Sequence, residues 1–240
     1  MWQIPTQYRY GCGYVYSDEF CTPEQAKAEV ERVLGREIEV RSDIRFQIGR
    51  LEKAWAGNVL AVGLSSSFLE PLESTSIHGT IVQMMLFADR HLKHPADMTP
   101  ADRTDYNARI GRQVDDFRTF VNTHYLVERD DTPFWREVRA NRIHPETRQR
   151  LEYWRHHMPR HEHFPENLFG LPHIQTQLHY PVLAGLGLLD QNLARKEMDA
   201  DPRLRQFARE TYEGLVREYR AAAQQALGHA EFLQAVRDMA

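Results

Sequence analysis

The hydrophobic pattern changes period once, near Ser74, and that change limits the chain to folds with a strand-built part followed by a helical one. Up to Gly63 the apolar residues fall in short aromatic and β-branched runs bounded by Gly, Asn and Pro. Gln3 to Tyr10 and Tyr14 to Tyr16 predict a hairpin across Gly11-Cys12-Gly13. Strands are expected near Ile38 to Val40 and Ile44 to Leu51. Val59 to Gly63 (VLAVG) predicts a strand buried on both faces. Between these, Thr22-Pro23-Glu24-Gln25 predicts a helix start with a capping box, and Gly35 its stop.

From Ser74 the apolar residues Ile77, Ile81, Met84, Met85 and Ala88 recur at helical spacing as far as His91. A second helix is expected within Ala101 to Val127, with Ile110, Val114, Phe117, Phe120 and Val121 on one stripe. Asp131-Thr132-Pro133 starts a short helix carrying Phe134 and Trp135, and Pro145 another through Trp154. The tail from Asp201 to Met239 reads as amphipathic helix broken near Gly228. The fold class is therefore α+β. Residues 1–72 form a strand-rich part and 73–240 a mainly helical region, in one compact body without repeats or a Ser/Gly linker.

Composition excludes several functions. In 240 residues, 30 Lys+Arg stand against 34 Asp+Glu, a net charge of -4, which gives nonspecific nucleic-acid binding no electrostatic drive. No apolar run approaches the roughly 18–20 residues of a membrane span. Met1 leads straight into Trp2-Gln3-Ile4-Pro5 with no secretory pattern. Cys12 and Cys21 are too few for a disulfide framework, so a reduced, cytoplasmic protein is expected. In His156-His157-Met158-Pro159-Arg160-His161-Glu162-His163 the proline breaks the spacing, so a polar loop is expected and no metal site. The Arg-rich run from Arg203 to Arg220 is interleaved with Glu210, Glu213 and Glu218, as on a solvated face. Phe134, Trp135, Tyr153 and Trp154 read as core.

The most informative stretch runs from Trp55 to Ile77. A strand leads into a small-residue turn (Ser65, Ser66, Ser67), a proline-fixed segment and a helix N-terminus at Ser74, Thr75 and Ser76. Free N–H groups and the positive dipole end there suit an anion. Glu73, just before it, has two readings from spacing alone, a helix cap or a functional carboxylate.

Four ordered blocks resemble the flavin-dependent tryptophan halogenases. Trp2-Gln3-Ile4-Pro5 resembles the second half of the Trp-x-Trp-x-Ile-Pro motif, and Gly13-Tyr14-Val15-Tyr16-Ser17 the segment after it. Gly63-Leu64-Ser65 through Phe68-Leu69-Glu70-Pro71-Leu72-Glu73-Ser74-Thr75 resembles the GLS…EPLEST signature. His124-Tyr125 with Arg129-Asp130-Asp131-Thr132-Pro133-Phe134-Trp135 resembles the HY…RDDTPFW segment. The resemblance runs over about residues 2–190.

It implies that reduced FAD, supplied by a separate flavin reductase, reacts with oxygen and halide to give hypohalous acid. That acid halogenates an electron-rich aromatic substrate, tryptophan or an indole-like ring. By motif position, Glu73 is the catalytic carboxylate and the backbone N–H groups of Thr75 and Ser76 hold the halide. Leu64 and Ile77 line the FAD, and Trp2, Ile4, Pro5, Ser74 and Tyr180 lie near the substrate or in the motifs. The strands are implied to belong to a flavin-monooxygenase-like substrate sheet, and a homodimer is compatible with the family.

Ser76 stands where better-known members have Gly, and Ser67 where Cys is common. Leu178-His179-Tyr180-Pro181 occupies the place of a common substrate-side Trp. No GxGxxG occurs, and Lys27, Lys53, Lys93 and Lys196 do not match the family's catalytic lysine. The chain therefore reads as the C-terminal part of a halogenase, inactive in isolation. A same-fold monooxygenase that oxygenates and a non-catalytic helical interaction protein are the alternatives.

Overall fold

A computed structural model describes residues 1–6, 8–92, 98–163, 174 and 176–239, which fall into two compact units, Met1–Leu189 and Asp190–Ala240. The chain is α+β, with long helices and very short strands. In the first unit β1 (Trp2–Pro5) and β2 (Tyr10–Gly13) form an antiparallel hairpin, closed where the Thr6 N–H donates to the Arg9 carbonyl at 2.8 Å. The turn thus precedes the glycines; Gln7, within the expected strand, lies outside the described residues. Gly11 and Gly13 are ladder positions, and at Gly13 Trp2 needs the room, since a Cβ there would run into the indole.

Helix α1 (Pro23–Leu34) begins and ends as expected. Thr22 and Gln25 form the capping box, and Gly35 closes the helix at φ 65°. The strands that follow are much shorter than expected. Between Arg36 and Ile48 no strand forms, and Ile44 and Ile48 stay exposed. Strand β3 (Gly49–Arg50) pairs with β6 (Ser67–Phe68), and β4 (Trp55–Ala56) with β5 (Val59–Leu60). The run Val59 to Gly63 is not a strand buried on both faces. Only its first two residues pair, and Val59 is 65% exposed. An apolar run states a need for burial, and the described chain sets no second strand beside it.

Helix α3 (Pro100–His124) organises the core. Tyr106, Ile110, Val114, Phe117, Phe120 and Val121 are all buried along one stripe, as the period predicts. Asn107 pins β4 to it, accepting from the Trp55 N–H at 2.8 Å and donating to the Trp55 carbonyl at 2.9 Å. Arg50 reaches Asp115 through two bonds of 3.1 and 3.0 Å and ties down β3. Helix α2 (Thr75–Arg90) turns an unexpected face to this core. Gln83 and Leu86 are buried, while Ile77, Ile81, Met84 and Met85 are exposed. Gln83 is inside because its side-chain oxygen accepts from the Gly63 N–H at 2.8 Å and the Ser66 hydroxyl at 3.1 Å.

The first unit is completed by α4 (Pro133–Glu137), which runs into a π-helical turn over Val138–Arg142, by α5 (Pro145–Trp154) and by α6 (Thr176–Gly185). Trp154 packs in a small core with Leu183, whereas Tyr153 stays half-exposed and stacks on His157 at 4.1 Å. In the second unit α7 (Gln191–Ala200), α8 (Pro202–Gln225) and α9 (His229–Asp238) begin at Asp190, Asp201 and Gly228. Polar pairs such as Gln206–Glu210 cover α8 locally. Among the described residues no helix is long and apolar enough to cross a membrane. None group as a metal site either.

Candidate active site

The segment Glu70 to Ser74 has a backbone that its sequence does not favour. Pro71 leads at φ -70°, Leu72–Ser74 make a 3-10 turn, and the Ser74 N–H donates to the Pro71 carbonyl at 3.0 Å. Glu73 and Ser74 then sit consecutively in the left-handed region, at φ 63° and 51°. Neither is glycine, and each such residue costs about 1–2 kcal/mol. Strain of this kind persists only where surrounding contacts impose it.

Two of those contacts come from the end of α3. His124 Nε2 lies 2.8 Å from a Glu73 carboxylate oxygen, and its Nδ1 lies 3.1 Å from the Phe120 carbonyl. One residue on, the Tyr125 hydroxyl donates to both Glu70 carboxylate oxygens, at 2.9 and 2.8 Å. Burial holds the Glu70 carboxyl above its ordinary range, against the pull of the Tyr125 bond and of His124. Burial likewise pushes the Tyr125 phenol up, with the Glu70 bond and charge adding to it. Phe134 and Trp135 flank the Tyr125 ring, and the Arg129 guanidinium lies 4.8 Å above Trp135.

The cap reading of this segment fails. Ser74 occupies the N-cap position of α2 without any side-chain bond to the helix, and the Glu73 carboxylate goes to His124 instead. Ser74→Ala is therefore expected to change stability by less than about 0.5 kcal/mol, below the roughly 0.5–2 kcal/mol of a working cap. Ser74→Gly should raise stability by about 0.5–1 kcal/mol by relieving the left-handed strain. Urea unfolding of the two variants measures both.

A cleft opens beside the turn, lined by Ser67, Glu70, Thr75, Ser76, Gln113 and Phe117 among others. Thr75 and Ser76 stand in the first turn of α2, where backbone N–H groups have no intrahelical acceptor. The Thr80 hydroxyl donates to the Ser76 carbonyl at 2.8 Å. Leu64, within the 3-10 turn Gly63–Ser65, and Ile77, in the first turn of α2, are exposed at 71% and 73%. Gly63, at φ 65°, has to be glycine twice over, since a Cβ would also meet the Thr80 hydroxyl at 2.9 Å.

A family model, Tryptophan halogenase, matches residues 1–200. The chain belongs to the tryptophan halogenase family. This family member is 35% identical over 210 residues to the tryptophan 6-halogenase SttH of Streptomyces toxytricini, covering 84% of the chain and 38% of that relative. To the tryptophan 7-halogenase RebH of Lentzea aerocolonigenes it is 37% identical over 159 residues, covering 64% and 29%. A solved flavin-dependent halogenase from Xanthomonas campestris superposes with a TM-score of 0.75 at 30% identity, over 98% of this chain and 45% of the other. The halogenase-family chain thus spans less than half the length of these relatives.

Not every residue singled out from the halogenase motifs gathers at this place. Glu73, Ser74, Thr75 and Ser76 are contiguous at the turn, with Leu64 and Ile77 at the adjoining 3-10 turn and helix start. Trp2, Ile4 and Pro5 are exposed and have their ladder partners in the hairpin, Gly13, Gly11 and Tyr10. The Tyr180 hydroxyl donates to the Pro159 carbonyl. Its neighbour His179 is the buried residue of α6. It packs edge-on to Phe120 at 4.8 Å, and Phe120 meets the His124 ring at 5.0 Å. Sequence reasoning gave His124, Tyr125, Glu70 and His179 no role. The only signal was that the first three lie in motif blocks. Lys93 lies outside the described residues.

Proposed function

We propose that this chain is the substrate- and halide-facing part of an FAD-dependent halogenase that acts on an electron-rich aromatic ring such as tryptophan. The observation that carries the reading is the Glu73 carboxylate, held by His124 at 2.8 Å in a strained turn that opens directly into the α2 N-terminus. Glu73 is the carboxylate at the ring being halogenated, where it steadies the electrophile or accepts the ring proton. The N–H groups of Thr75 and Ser76 hold the halide, an anion on the positive end of a helix. SttH and RebH, a tryptophan 6-halogenase and a tryptophan 7-halogenase, support the substrate class.

Reduced FAD, replenished by a separate reductase, supplies the oxidising power that turns halide into an electrophile. The residues present suit one side of that cofactor. Leu64 and Ile77 offer exposed apolar surface beside the small-residue turn at Gly63, where backbone comes close. A pyrophosphate cradle needs a glycine-rich strand–helix turn, and the sequence has no GxGxxG. We therefore assign cofactor phosphate binding, and completion of the short ladders into one substrate sheet, to a partner segment like that of the longer relatives. The free thiols of Cys12 and Cys21 fit a reducing cytoplasmic setting. A homodimer is compatible with this reading.

The test joins this chain in one polypeptide to the flavin-binding half of a 6-halogenase relative. Reduced flavin, oxygen and tryptophan are supplied, with chloride, bromide or neither, and products are read by mass. A halogenated product that disappears without halide is expected. A hydroxylated product formed at the same rate without halide overturns the halogenase reading in favour of an oxygenase.

A further inference from the structure

His124 occupies an unusual electrostatic position. It is the last residue of α3, where the helix dipole favours a cation, and its side chain is only 18% exposed. Both ring nitrogens face acceptors, the Phe120 carbonyl at Nδ1 and the Glu73 carboxylate at Nε2. A carboxylate oxygen accepts, so Nε2 is the nitrogen that donates to Glu73 while Nδ1 faces the Phe120 carbonyl. The ring is fixed from behind by the buried Phe120, edge-on at 5.0 Å. The turn that carries Glu73 is fixed separately, by the two bonds from Tyr125 to Glu70.

We propose that His124 is the positioning residue of Glu73. It holds the carboxylate in the left-handed turn beside the cleft, while Tyr125 and Glu70 anchor the turn. The proposal deepens the reading of Glu73 given above and rests on it for its catalytic meaning. The carboxylate is oriented before substrate arrives, and His124 itself touches no reacting atom. The charged and titratable groups around the ring are Glu73, Glu70, the Tyr125 phenol and His179, with Arg150 acting on His179 from α5.

The experiment has two readouts. In the 240-residue chain, the His124 side-chain N–H signals are followed by NMR in wild type, Glu73→Ala and Glu73→Asp. Loss of the acceptor should move the Nε2 signal and speed its exchange with solvent, and Asp should keep most of the wild-type behaviour. An unchanged Nε2 signal in Glu73→Ala, with the fold intact by the same spectra, overturns the proposal. In the joined enzyme, His124→Gln should lower kcat by up to about 100-fold with KM for the aromatic substrate little changed. The loss should not add to that of Glu73→Gln. Losses that multiply, or a loss confined to KM, also overturn it. The two failures are distinguishable. If Glu73→Gln keeps full turnover while the His124 Nε2 signal still responds to Glu73→Ala, the pair stands and the catalytic reading of Glu73 falls.

Discussion

Glu73→Gln in the joined enzyme should lower halogenation about 10²–10⁴-fold, the range for a positioned acid–base group. The amide keeps the shape of the side chain and one oxygen that can accept from His124 Nε2, 2.8 Å away. What it loses is the negative charge and the site for a ring proton. Stability should change little, because Glu73 makes no cap bond to α2 and its carboxylate is partly solvated, at 42% exposure. Glu73→Ala also removes the partner of His124 and should cost more stability than Gln does. Measuring product and melting temperature for both variants separates the two roles. Near-normal halogenation by the Gln variant would sink the catalytic assignment.

Acid should unfold the chain earlier than its carboxylates alone require, and His179 is the reason. The residue is 2% exposed, and burial lowers its pKa from 6.5 to about 3, with the charges of Arg150 and His124 pushing the same way. The folded pKa thus lies below the unfolded one. As pH falls through 6.5 the unfolded chain takes up a proton that the folded chain refuses until about 3, so stability is lost across that interval. The slope is at most about 1.4 kcal/mol per pH unit and is only partly reached near pH 6.5, so about 1.3 kcal/mol is lost between pH 7 and 5.5. Asp105 and Asp115, held below their usual range by Arg109 and Arg50, contribute their own loss only at lower pH. His179→Leu keeps an apolar group between Phe120 and Trp154 and should flatten the dependence above pH 5. Urea midpoints at pH 5 to 7.5 for both proteins decide it; equal slopes overturn the assignment.

The exposed apolar face of α2 bears on how such measurements are made. Ile77, Ile81, Met84 and Met85 stand open together with Leu64 and Val59. Surface of this kind promotes association. Protein concentration should therefore be varied in every stability experiment.

Where the instructions lie within a few residues, the sequence by itself determined the outcome. Thr22-Pro23 with Gln25, Thr132-Pro133, His144-Pro145 and Asp201-Pro202 each start a helix at the expected place, because a cap and its donors are neighbours in the chain. The stripe from Ile110 to Val121 is buried as its period requires, since α3 is long and packs against several elements along that face. The helix start after Ser74 was legible too, but Ser67, read as part of a small-residue turn, pairs in β6 instead. Only the tertiary structure decided which apolar pattern finds a partner. Val59, at the head of an apolar run, and the stripe of Ile77, Ile81, Met84 and Met85 belong to strong patterns yet remain open, because periodicity marks a face without supplying the surface that covers it. The same holds at the site. Glu73 is conspicuous in the sequence, but its partner is 51 residues away, and the left-handed backbone at Glu73 and Ser74 is imposed by α3 against local preference. A contact between distant segments depends on how helices pack, and no spacing within either segment encodes it.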